Sequence, residues 1–71
     1  MSITTEQTEK LLKNSLPFKQ LGFSMLITRL RKLYEVEKTA DSVDFATAEI
    51  NTFLKKYEKV MEADYALITK L

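Results

Sequence analysis

Apolar residues recur along this chain at spacings of three and four, the repeat of a single helix face. The pattern is strongest in the C-terminal half. Ala46, Ile50, Phe53, Leu54, Tyr57, Val60, Met61, Ile68 and Leu71 fall on one stripe, with Asn51, Lys55, Glu58, Lys59 and Glu62 opposite. This predicts one long helix over about 43–70. Asp41 or Ser42 is placed to cap it, and Asp44 sits in the first turn, where the helix dipole favours an acid.

The middle of the chain reads differently. From Phe18 to Ile27 apolar groups surround most of a helix axis, with Phe18, Leu21 and Met25 on one side and Phe23, Leu26 and Ile27 on the other. From Thr28 onward the pattern becomes amphipathic, with Leu30, Leu33 and Tyr34 inward and Arg31, Glu35 and Lys38 outward. A helix over about 17–38 is expected, with Pro17 in its first turn and Ser15 as cap.

Ahead of it, Thr4 and Gln7 fit a capping box, and Glu6–Lys10 and Glu9–Lys13 are spaced as helical ion pairs. A short helix over about 5–14 follows. With few apolar positions of its own (Leu11 and Leu12, flanked by Ile3 and Leu16), it is expected to dock loosely.

These elements define an all-α chain with a single domain over 1–71. The expected architecture is an antiparallel helical hairpin with a short N-terminal helix, and dimerisation into a bundle is one way to complete it. The composition agrees. One glycine and one proline in 71 residues cannot supply the regular turns of an all-β chain. A domain this small buries a modest share of its surface, and without cysteine it has no disulfide to help.

Charge and chemistry narrow the function. The balance of 11 basic and 10 acidic residues gives a formal +1, far from the basic excess of a dedicated nucleic-acid binder. Arg29, Arg31, Lys32 and Lys38 form the densest basic group but point around the helix, interrupted by Glu35 and Glu37. Without histidine or cysteine, or a glycine-rich phosphate loop, no metal, cofactor or catalytic residue is expected. Glu58 and Glu62 read as a solvated face beside Lys55 and Lys59. The most apolar run, Leu16 to Ile27, is too short and polar to span a membrane. Polar residues from Ser2 to Lys10 do not resemble a secretory leader, and the lysine- and glutamate-rich, tryptophan-free composition points to a bacterial or phage cytoplasmic source.

Two positions stand out. Asp64 is the one charge inside the apolar stripe, and the hairpin register brings it near the start of the second helix. The free amides around Pro17, or Lys19, are its expected partners there, with Lys10 and Lys13 of the first helix as a second possibility. Phe18, Leu21, Gly22 and Met25 form the apolar face that a polar first helix would leave open, which makes them the candidate partner-binding residues. The expected function is a non-catalytic protein–protein interaction module of adaptor, chaperone, immunity-factor or inhibitor type. Its partner is another protein or a second copy in a homo-oligomer. The alternative is a small DNA-binding regulator acting as a dimer. A membrane-surface helix fits poorly, because the polar face of the last helix mixes both signs.

Overall fold

The computed structural model describes residues 1–59 and 61–71, and within them every regular element is helical. The elements are α1 (Thr5–Lys13), α2 (Leu21–Glu37), α3 (Ala40–Lys56) and α4 (Glu62–Thr69). Helices α1, α2 and α3 pack against one another as a bundle, and α4 folds onto α1.

The first turn of α1 carries the expected reciprocal cap. Thr4 Oγ1 accepts the Gln7 amide at 3.1 Å, and Gln7 Oε1 accepts the Thr4 amide at 3.0 Å. Glu6–Lys10 and Glu9–Lys13 pair at 3.8 and 3.1 Å on its outer face. The hydrogen bond from Lys13 to Glu9, and then the charge of that carboxylate, raise the lysine above its ordinary value. The loose docking expected of this helix does not occur. Leu11, Leu12 and Thr8 are buried, and Thr8 Oγ1 lies 2.7 Å from Thr47 Oγ1 on α3. The arm before α1 is held equally firmly. Asn51 of α3 accepts the Ile3 amide at 2.7 Å and donates to its carbonyl at 3.1 Å, and Tyr65 of α4 donates to the Ser2 carbonyl at 3.0 Å.

Two helix boundaries differ from the sequence expectation. The second helix begins at Leu21, not Pro17, because Phe18 turns inward ahead of it. The Phe18 amide donates to the Leu16 carbonyl at 3.0 Å, and its ring meets Phe23 edge-on at 4.7 Å. The long helix expected over 43–70 is two helices, with α3 ending at Lys56 and α4 starting at Glu62. No glycine or proline causes the break. A straight helix rises about 1.5 Å per residue and would carry its last turns past the end of α2. Turning instead buries Met61, Asp64 and Ile68. Of the expected stripe, Val60 lies outside the described residues.

The link between α2 and α3 is only Lys38 and Thr39. Lys38 takes the left-handed conformation that ends many helices (φ 50°), and its amide returns to the Tyr34 carbonyl at 2.7 Å. Thr39, not Asp41 or Ser42, caps α3, with Ser42 reciprocating as the third helical residue. The two helices run in opposite directions. Gly22 and Met25 of α2 lie beside Phe53 and Tyr57 of α3, while Leu33 and Glu37 lie beside Phe45 and Asp41.

Candidate functional site

Helix periodicity decides which side of the α2–α3 layer stays open. On α3, Thr47 and Asn51 reach α1 and its preceding arm, so Phe45, Glu49, Thr52, Phe53 and Lys56 turn elsewhere. On α2, Phe23, Ile27 and Leu30 are buried, which leaves Leu21, Met25, Arg29, Leu33 and Val36 outward at steps of four, four, four and three. The two outward stripes border two separate hollows between α2 and α3. Gly22, Met25, Arg29, Glu49, Phe53 and Tyr57 line the larger, a shallow groove, and Leu33 and Phe45 line the other, nearer the link between the helices.

The apolar groups here are unusually bare for their size. Leu21 is 72% exposed, Met25 64% and Val36 84%, with Phe45 at 52%. Burying a side chain of this kind is worth about 1.5–3 kcal/mol, so a stripe of them is a reserve of binding energy that folding leaves unused. An aromatic ladder backs the groove. Phe23 lies 5.7 Å from Phe53, and Phe53 lies 4.7 Å from Tyr57, with the Lys56 ammonium 5.4 Å from the Tyr57 ring. The groove is thus joined through Phe53 to the buried Phe23 of the core.

Of the candidate residues, the structure brings Leu21, Gly22 and Met25 together on this face and places Phe18 elsewhere. Phe18 is half-buried and packs on the core through Phe23. Gly22 is exposed, and a methyl group added there would meet Phe53 at 3.5 Å, an ordinary contact. The backbone of α3 does not require a glycine at this point. Leu33, Phe53 and Tyr57, read from sequence as core, contribute to the open face, and Val36 and Phe45 join them. The repeat Leu21–Met25–Leu33–Val36 was the signal available for this second stripe. It is interrupted by Arg29, which hides it.

Two polar residues serve the fold. Asp64 is 2% exposed, and both its oxygens are occupied. Oδ1 accepts the Lys19 amide at 2.8 Å and Oδ2 the Gln20 amide at 3.0 Å. It thereby holds the two amides just ahead of α2, whose N-cap residue Gln20 makes no side-chain cap of its own. Arg31, expected to face outward, instead donates to the carbonyls of Leu11 (3.2 Å), Leu12 (3.0 Å) and Asn14. These are the free acceptors at the end of α1, where a cation is also favoured by the dipole. Arg31 is thus withdrawn from the basic group of α2, leaving Arg29 and Lys32 beside Met25 and Thr28.

Among the described residues no cluster of three acidic side chains could hold a metal ion, and no helix is long and apolar enough to cross a membrane. Comparison with protein-family models, curated proteins and solved structures finds no match to the chain.

Proposed function

We propose that this protein is a non-catalytic binding module whose α2–α3 hairpin presents an apolar face to another protein. The observation that carries the reading is the exposure of Leu21 and Met25, one turn apart on a helix whose other side is fixed in the core. Interface centres favour aromatic and methionine side chains, and this groove offers Met25, Phe53 and Tyr57. The fit to an adaptor, chaperone, immunity factor or inhibitor is through this face alone. Among the described residues the buried polar side chains, Asp64, Thr8 and Ser42, are all engaged in caps or helix contacts, which favours a binding role over a catalytic one.

The DNA-binding alternative is weakened by Arg31. With that guanidinium spent on α1 carbonyls, the outward basic residues of α2 share their face with Met25 and Leu33, and Glu49 lies across the groove from Arg29. A phosphate-tracking surface would need a coherent basic stripe.

The test compares wild type with Met25→Asp as baits for the same lysate and for purified protein. Helix content by circular dichroism stays unchanged, because Met25 is exposed, while retention of a specific partner or of the protein itself is lost. Equal retention by both baits contradicts the reading.

A further inference from the structure

The charges on the open face select one occupant for it. Arg29 and Glu49 sit near the midpoints of α2 and α3 and line the same stretch of groove, flanked by apolar residues toward either end. Among the described residues neither makes an ion pair within the chain. Resting on the reading of this face as a protein-binding surface, we infer that its partner is a second copy of the chain. The two copies are related by a two-fold axis parallel to the helices, so that α2 of each packs on α3 of the other.

The geometry follows from the symmetry. A two-fold axis along the helix direction leaves every residue at its own level and exchanges left for right. Arg29 of one copy then faces Glu49 of the second, and Glu49 faces its Arg29, giving two ion pairs at the centre. Leu21 and Met25 meet Phe53 and Tyr57 of the second copy, and Leu33 and Val36 meet its Phe45. Because α2 and α3 run in opposite directions within a chain, each helix also lies antiparallel to its new neighbour. The result is a four-helix bundle with α1 packed outside.

The competing arrangement, with the axis running across the helices, sets Arg29 against Arg29 and Glu49 against Glu49 in the middle of the contact. Like charges there are desolvated and costly. The arrangement we infer does bring Glu37 near Asp41 of the second copy. That contact lies at the end of the face, where both carboxylates stay exposed and water and salt screen them. The Cα trace measures 31 × 20 × 19 Å, so two such faces share on the order of 1,200 Å², the lower end of specific interfaces. A weak, concentration-dependent dimer is expected.

The experiment is sedimentation equilibrium from micromolar to submillimolar protein on wild type, Met25→Asp, Arg29→Glu, Glu49→Arg and the double reversal. An equimolar mixture of the two single reversals is run beside them. The expected result is a wild-type dimer, a loss of roughly tenfold in affinity for each single reversal, and recovery in both the double reversal and the mixture. Each restored species again faces opposite charges at both central positions. A dimer weakened by Met25→Asp but indifferent to the single reversals overturns the pairing and leaves the face as the binding surface. A wild-type monomer throughout overturns the second copy as occupant while leaving a different protein partner in place. A dimer indifferent to Met25→Asp overturns both. All substituted positions are outward, and circular dichroism on each variant confirms that association, not folding, is being read.

Discussion

Asp64 Oδ1 accepts the amide of Lys19 at 2.8 Å across 45 residues of chain. With Oδ2 on Gln20, this one carboxylate fastens the segment before α2 to α4. It is the polar fixture on which the lower end of the bundle turns. Asp64→Ala leaves two amides without their acceptor and opens a small void. A loss of about 2–3 kcal/mol is expected in urea unfolding. Asp64→Asn keeps the shape and one acceptor but turns an amide donor toward the other N–H, so it recovers little of that loss. Stability of Asp64→Asn equal to wild type would show that the segment is held by packing of Phe18 alone.

Arg31 offers a second test of the same logic. Replacement by methionine keeps the apolar stem and removes the donors to Leu11, Leu12 and Asn14. A destabilisation of about 1–3 kcal/mol follows from charge-assisted bonds of this kind, and hydrogen exchange should accelerate first at the end of α1. Arg31→Lys restores charge but not the fork, and falls between the two. A change below a few tenths of a kcal/mol in Arg31→Met would mean that α1 is held by Leu11, Leu12 and Thr8 alone.

Gly22 separates stability from binding. Its helical position and the 3.5 Å approach of Phe53 leave room for a methyl, so Gly22→Ala is expected to raise stability by about 0.5–1 kcal/mol. If the open groove at this point receives a partner, the same methyl obstructs it and association weakens as stability rises. A variant that is both more stable and equally competent in binding would remove Gly22 from the contact.

The N-terminal arm gives a fourth expectation. Asn51 exchanges two hydrogen bonds with Ile3, whose side chain is buried. Asn51→Ala therefore frees the arm and exposes Ile3, at a cost of about 1–2 kcal/mol, with faster proteolysis ahead of Thr4 as the readout. Unchanged cleavage would place the anchor in the Tyr65–Ser2 bond instead.

How much of this was legible in the sequence depends on the range of the interaction. Local signals were: the Thr4–Gln7 box and the two ion pairs of α1 need only spacing, and both form. Asp64 was legible too, because a lone acid in an apolar stripe demands donors and the nearest free amides lie before α2. The break after Lys56 was not, since no residue between Tyr57 and Lys59 forbids a helix. It exists because Met61 and Ile68 gain burial by turning, a tertiary effect that propensity does not record. Arg31 was missed for the same reason. Its position on the helical wheel is that of a surface residue, and only the arrival of the α1 terminus gives it partners. The open face was half legible. Leu21, Gly22 and Met25 were visible as a belt too wide for one neighbour, whereas Phe53 and Tyr57 carry the spacing of core residues and reveal their exposure only once α2 is set beside them.

The most direct test of the central claim is site-specific photocrosslinking from position 25, with position 6 on the far side of α1 as control. A photoreactive residue replacing Met25 should yield a discrete protein adduct, whether to a second copy or to another chain, and one replacing Glu6 should not. Adducts of the same identity and yield from both positions, or none from position 25, would contradict the assignment of the α2–α3 face as the binding surface.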